Sequence, residues 1–229
     1  RSTVATPVNI NNPYFVTIFA FIWSMVATVV ILLLARTGGF SPEAIVLSGV
    51  ALSSLFSAGT ILIQYFAQDV QIAAAVFWTF GDLGRVAWHE VIILTCIVGL
   101  AMVYFMIRRW DYNALASGEE TAKSLGVQVE RVRMGGMLVS SLITAIAVSF
   151  LGIIGFIGLV APQIMRRVMG GDHRHLIPAS ALMGALLLLV SDTLARTLVA
   201  PVVLPVGAIT SFFGAPLFLY LLARGYRRQ

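Results

Sequence analysis

Apolar stretches of about twenty residues follow one another along this chain, separated by short polar breaks. They cover positions 14–35, 44–66, 88–107, 134–151, 176–198 and 206–223. Each is long enough, or nearly so, to cross the roughly 30 Å hydrocarbon core of a bilayer as a helix. The second is opened by Ser41-Pro42-Glu43, which puts Pro42 in the first helical turn, where its missing N–H costs nothing. Two further stretches are apolar but short. Positions 72–80 cannot cross, whereas 157–168, which contains Pro162, can cross if tilted or where the protein bends inward. Between 152 and 158 the glycines Gly152, Gly155 and Gly158 break the pattern.

The widest polar interruption is 108–133. It holds Arg108, Arg109, Asp111, Glu119, Glu120, Lys123, Glu130, Arg131 and Arg133. Ser117-Gly118-Glu119-Glu120 has the spacing of a capping box, in which Ser117 caps the Glu120 amide and the Glu120 side chain returns to the Ser117 amide. Gly126 falls where a short helix needs a left-handed residue after its end. The expectation is a capped, water-facing helix from Ser117 to Gly126, with Ala116, Ala122, Leu125 and Val127 on its apolar side.

Composition adds the class. The chain is 59% hydrophobic and 11% charged, with a mean hydropathy of +0.94. A soluble domain carries about 25% charged residues, so this is an integral membrane protein. The stretches are too long for membrane β-strands of roughly ten residues. The fold class is all-α, a polytopic helical bundle, read as a single domain over 1–229 with the loop 108–133 inside it. The lone Cys96 excludes an internal disulfide and a cysteine metal site, and reads as a small packing residue. Positions 1–12 are polar, irregular and unlike a signal peptide, and the chain starts at Arg1. A piece of a longer protein, beginning in a loop, is expected.

The charges give sidedness. With alternating segments and 108–133 in the cytoplasm, that side collects Arg36, Arg108, Arg109, Lys123, Arg131, Arg133, Arg166, Arg167, Arg174, Arg224, Arg227 and Arg228. The outer side keeps Arg1, Arg85 and Arg196. This bias requires 157–168 to cross, giving about seven crossings with the N-terminus outside. It also explains the net charge of +5 without a nucleic-acid partner.

Several motifs then resemble one family. They are Gly155-Phe-Ile-Gly-Leu-Val-Ala-Pro162, Arg166, Gly171-Asp-His-Arg174, Leu176-Ile-Pro178, Gly184-Ala185, Asp192 to Arg196, Leu204-Pro-Val-Gly207 and Gly214-Ala-Pro216. In the polar loop they continue as Leu115, Gly118-Glu119, Ala122 and Ser124-Leu-Gly-Val127, and upstream as Leu47-Ser-Gly-Val-Ala-Leu52. The ordered set resembles FecCD-type permeases, the membrane subunits of type II ATP-binding-cassette importers for iron-siderophore, haem or cobalamin. It covers nearly the whole chain after Asn12. The family has about ten spans, so the resemblance implies that three N-terminal spans are missing here. Gln163 and Val203 depart from its pattern, which usually has His and Glu there.

The resemblance implies two short coupling helices in 108–133 that dock on an ATPase subunit, using Leu115, Ser117, Gly118, Glu119, Glu120, Ala122, Leu125 and Gly126. From the residues alone a solvated loop is the other reading. Asp192 and Arg196, four apart, form an intrahelical ion pair on one reading. On the other, carried by the resemblance, Arg196 faces a soluble binding protein, with Arg85 a weaker candidate. Gly155, Gly158 and Pro162, and Pro205, Gly207, Gly214 and Pro216, are candidates for gating or lining a path; close helix packing is the other reading. Gly214-Ala215-Pro216 is expected to break the last span midway.

His173 and His175 lack the clustered ligands of a zinc site, and His89-Glu90 beside Trp88 reads as interfacial. No metal or other cofactor is expected on this chain. It has no Gly-x-x-x-x-Gly-Lys-[Ser/Thr] run, so ATP and Mg²⁺ would sit on the partner ATPase. Other implied partners are a second permease copy, a soluble binding protein and the inner (cytoplasmic) membrane. Apart from Glu90 in the first turn of its stretch, Asp192 is the one acid inside a predicted span, which disfavours the alternative of an ATPase-independent secondary transporter or channel. No nucleophile–base set supports an intramembrane enzyme.

Overall fold

The computed structural model describes residues 13–37 and 41–226. Residues 1–12, and with them Arg1, lie outside the described part, as do Arg227 and Arg228. The described chain runs as α1 (Pro13–Thr37), α2 (Pro42–Phe66), α3 (Asp69–Thr79), α4 (Trp88–Ile107), α5 (Arg109–Ala116), α6 (Glu119–Ser124), α7 (Val129–Leu151), α8 (Ile157–Met169), α9 (His173–Thr197) and α10 (Val206–Tyr226). Among these, α1, α2, α4, α7 and α9 are long and apolar enough to cross a membrane, and α10 adds the shorter apolar stretch Val206–Leu221. With 13 residues, α8 reaches only about 20 Å.

Local signals set these boundaries. Ser41 Oγ accepts the Ala44 amide at 3.2 Å and Pro42 takes the first turn of α2. The Asp172 carboxylate accepts the Arg174 amide at 2.9 Å and starts α9. Gly152, at φ 76°, ends α7.

Three boundaries differ from the expectation. α7 starts at Val129 rather than at 134, because Val129 and Val132 bury on one side while Glu130, Arg131 and Arg133 keep to the other. α9 starts at His173 rather than at 176, drawn back by its Asp172 cap. α10 continues as one helix through Gly214-Ala215-Pro216, since a proline in a helix interior removes one donor and bends the helix without having to end it.

The bundle has two unlike ends. One gathers α5, α6, the start of α7 and the α8–α9 turn, and α10 finishes there too, with the Arg167 guanidinium donating to the Leu221 carbonyl. The other gathers the loop after α3, the exit of α7 and the α9–α10 connection. Here Thr17 Oγ1 at the start of α1 donates to the Ser149 carbonyl at 3.2 Å. Few large side chains are fully buried, and Val132 and Val206 lead them. Most large apolar residues of α2 and α4 point outward, as lipid contact permits.

Candidate functional site

The loop 108–133 is built as two helices joined at Gly118. Ser117 does not open the second helix, as its capping-box spacing suggests; it closes α5. Its amide donates to the Ala114 carbonyl at 3.1 Å and its hydroxyl turns back to the Asn113 carbonyl at 3.4 Å. Gly118, at φ 112°, then makes the corner, and its carbonyl accepts the Ala122 amide at 3.0 Å. The capping box fails because the serine is already engaged with the preceding helix.

The other end of α6 follows expectation. Gly126 sits at φ 81°, its amide bonds the Lys123 carbonyl at 3.0 Å, and the Val127 amide bonds the Ala122 carbonyl at 3.0 Å. That pair of bonds is a Schellman ending, which needs a left-handed residue at this position.

Charge fixes α6 to α7. Glu119 takes Lys123 at 2.9 Å within the helix and Arg133 of α7 at 3.2 Å. The Lys123 hydrogen bond holds the Glu119 carboxyl below its ordinary range, helped by the nearby positive charges of Lys123 and Arg133. Arg108 pairs with Asp111 at 3.1 Å.

The expected apolar side of the loop divides. Ala122 is wholly buried and seats α6 on the bundle. Leu125 is 68% exposed, and Trp110, with Arg109 stacked 5.6 Å from its ring centre, is 62% exposed. Leu115 is half-buried, and Glu120 is exposed. The platform thus offers Trp110, Leu125, Ala116 and Glu120 outward.

Sequence reasoning missed what anchors α5. Asn113 Nδ2 donates to Asp172 Oδ1 at 2.8 Å, and Asn113 Oδ1 accepts the His173 amide at 2.8 Å. His173 Nδ1 also lies 2.8 Å from that oxygen, so it carries the proton. The Asn113 bond holds the Asp172 carboxyl below its usual range, aided by the Arg174 amide. Tyr112 stacks obliquely on His173, its ring centre 5.9 Å away. Burial pushes its phenol up to about 12. Gly136 of α7 makes room for that phenol: an added Cβ would lie 2.5 Å from Tyr112 Oη. Gly135 does the same for Tyr104. The only sequence-level hint was an asparagine in a short helix, where it is a poor former.

The opposite end is woven from backbone. After α7 the chain is non-helical from Gly152 to Phe156: Gly152 at φ 76° and Phe156 at φ 66° turn it at either end, Ile153 makes a single parallel bridge with Phe80, and the Ile157 amide closes back on the Gly155 carbonyl at 2.9 Å. The Ile153 amide donates to the Thr79 carbonyl at 3.3 Å, the Asp82 amide to Leu151 at 3.0 Å, and the Val206 amide to Gly81 at 2.9 Å. A Cβ on Gly81 would lie 2.6 Å from the Ile153 carbonyl oxygen, and one on Gly207 would collide with the same oxygen. A Cβ on Gly214 would lie 2.5 Å from the Phe156 Cβ, and one on Gly155 would meet Ser211 Oγ at 3.2 Å. Gly158 faces open space, so close approach does not explain that glycine. Pro162 lies inside α8 next to buried Val160 and Ala161. The Pro205 carbonyl accepts the Ala208 amide at 3.1 Å as α10 begins.

Arg196 lies near this end, its Nε 2.8 Å from Asp192 Oδ2, so the intrahelical pair is present. The Arg196 side chain is still 48% exposed, and its guanidinium passes beside Gly84, whose added Cβ would lie 3.4 Å from Nη2. Arg85 donates to the Phe77 carbonyl at 3.1 Å and the Trp78 carbonyl at 3.5 Å, closing the end of α3. Both arginines are exposed. No cluster of three metal-ligating side chains occurs among the described residues.

The profile of the FecCD transport family matches residues 2–224. A Methanocaldococcus jannaschii protein named as an ABC transporter permease is 63% identical over 219 residues, which is 96% of this chain and 63% of that protein. The hemin transport system permease protein HmuU of Yersinia pestis is 38% identical, over 90% of this chain and 61% of its own length. The chain thus spans about six-tenths of the length of these curated relatives. A solved metal-chelate type ABC transporter in an inward-facing conformation superposes with a TM-score of 0.77 at 27% identity, over 93% of this chain and 76% of that one.

Proposed function

This chain belongs to the FecCD transport family, and we propose that it is the permease part of an ATP-binding-cassette importer. Its cargo would be a metal chelate of the iron-siderophore, haem or cobalamin class, handed over by a soluble binding protein. The named cargoes of similar proteins, hemin for HmuU of Yersinia pestis and cobalamin for a Halobacterium salinarum permease 40% identical to this chain, support that range.

The observation that carries the proposal is the platform of α5 and α6. It is a folded, water-facing surface between two membrane-spanning helices, tied to the bundle by Ala122, the Glu119–Arg133 pair and Asn113. A helix of six or eight residues does not hold its shape in water unaided, and these ties hold it for a partner. The partner would be an ATPase subunit carrying ATP and Mg²⁺. Closure of two such subunits would push the platform and select one of two helix packings. A second copy of the permease would complete the pathway in the cell's inner membrane. The permease itself makes and breaks no bond.

Glu120→Lys is the clean test, because Glu120 is exposed while Glu119 is engaged within the fold. Expression and melting temperature should stay unchanged while ATPase co-purification drops severalfold. Undiminished co-purification of both Glu120→Lys and Leu125→Glu would refute docking on this surface. At the far end, Arg196→Glu should weaken binding-protein capture while Arg85→Glu acts mainly on the α3 terminus.

A further inference from the structure

We infer that Asn113 is the positioning residue through which the α5–α6 platform drives the α8–α9 hairpin, and so the non-helical segment 152–156. This rests on the proposed function and adds a route to it. The side chain of Asn113 completes the start of a helix that lies elsewhere in the chain. The first amides of an α-helix have no partners within it. In α9 the Arg174 amide is satisfied locally by Asp172, and the His173 amide is satisfied by Asn113 across 2.8 Å. The same asparagine donates to Asp172, the capping residue itself. One side chain of α5 thus forms part of the α9 cap, and a displaced platform must either carry α9 with it or leave that amide bare.

From there the connection is stiff. α8 and α9 pack along each other, joined by the short turn at 170–172. Gly184 of α9 lies over Ile157 and Ala161 of α8, where an added Cβ would touch them at 3.5 and 3.8 Å. The far end of α8 is Phe156, held against Gly214 of α10. A push on Asn113 therefore arrives at 152–156, the non-helical turn between α7 and α8. The ion pair between α6 and α7, by contrast, is the single partly exposed contact of Glu119 with Arg133, on long side chains that yield under load.

The chemistry of the contact provides its own control. Asn113→Asp keeps the acceptor for His173 but sets a carboxylate against Asp172. Asn113→Asp combined with Asp172→Asn restores a donor facing an acceptor, and the new amide side chain on the α9 cap still accepts the Arg174 amide.

The experiment uses the full-length permease assembled with its ATPase in nanodiscs. Hydrogen exchange is read by mass spectrometry with and without Mg-ATP and vanadate. At rest, the first turn of α9 should exchange severalfold faster in Asn113→Ala and Asn113→Asp, as expected for one lost hydrogen bond at a partly exposed cap. The double variant should return to wild type. With trapped nucleotide, the wild type should change exchange both in α6 and in 152–156. The single variants should keep the α6 response and lose the response at 152–156, and the double variant should regain it.

A response at 152–156 that survives in Asn113→Ala overturns the inference, as does a wild type in which α6 responds and 152–156 does not. If no ATPase co-purifies with the wild type, the proposed function itself fails, and the transmission role goes with it. That outcome is read from the gel, before any exchange is measured.

Discussion

The two ends of the bundle are joined by opposite means. At the platform end, side chains reach between helices: Asn113 to Asp172 and His173, Glu119 to Arg133, Arg167 to the Leu221 carbonyl. At the far end, backbone meets backbone, with Gly81, Gly152 and Gly207 letting carbonyls and amides approach with no side chain between them. Side-chain joints can lengthen, swap partners or titrate one at a time. Backbone joints between glycines have no slack, so they either fit or do not. On the proposed reading, in which a soluble ATPase works on the platform end, compliance would lie there and a fixed fulcrum at the other end.

The comparison breaks most sharply at the glycines. Gly207→Val would drive a branched side chain into the Ile153 carbonyl, and Gly81→Val would do so from the other side. Each should cost at least ~3 kcal/mol, since overpacking of a tight site commonly costs 1–3 and here the obstacle is backbone. Melting in detergent should drop by many degrees, with poor recovery of monodisperse protein. Gly158→Ala is the matched control, because nothing lies within 4 Å of its added Cβ, and its melting temperature should stay near wild type.

A smaller effect separates backbone from side chain within the platform. Gly126→Ala puts a Cβ on a residue at φ 81°, at a cost of about 1 kcal/mol. Exchange of the α6 amides should rise accordingly while ATPase capture falls only modestly, because the outward residues are untouched. If Gly126→Ala leaves α6 exchange unchanged, the Schellman ending does not hold that helix.

The weakest joint should be the Glu119 network, since its members are exposed and salt screens them. The Glu119 carboxyl is held below its ordinary range, first by Lys123. Its contribution is therefore complete above the unfolded value, near ~4.3, and is lost as pH falls through the lower folded value. A carboxylate titration followed by NMR should find Glu119 below the ordinary value, and Lys123→Met should move it back up. High salt should do the same, in part. An unshifted Glu119 in the wild type would mean that the α6–α7 joint is not electrostatic.

Hydropathy alone located the long helices within a few residues, because membrane solvation acts on each segment independently of the others. Gly126 was legible for a related reason: a Schellman ending closes within six residues. The start of α6 was not legible. Ser117-x-x-Glu120 has the same spacing whether the serine opens one helix or closes another, and only the length of α5 decides. Asn113 could not have been found by spacing, since its partners lie 59 and 60 positions away. The glycine pattern at 152–158 announced a break. That Gly81 and Gly207 converge on Ile153 is a fact of three distant segments, invisible to any local window. The split of the loop's apolar side, with Ala122 inward and Leu125 outward, likewise needed the seat on the bundle to be seen.

The capped start of α9 and the Asp192–Arg196 pair near its far end stand on one continuous rod of 25 residues. A helix fixes the azimuth of everything it carries, so the direction in which Arg196 faces is indexed to the seat of Asn113. One extra residue in the middle of α9 would turn that arginine by about 100° relative to the platform and raise it by about 1.5 Å, whereas four would bring it back to within about 40° but some ~6 Å too far out. The helix therefore tolerates exchange of residues along its length far better than any change in their number. Its register acts as a gauge that keeps the side chains at one end of the bundle in phase with those at the other.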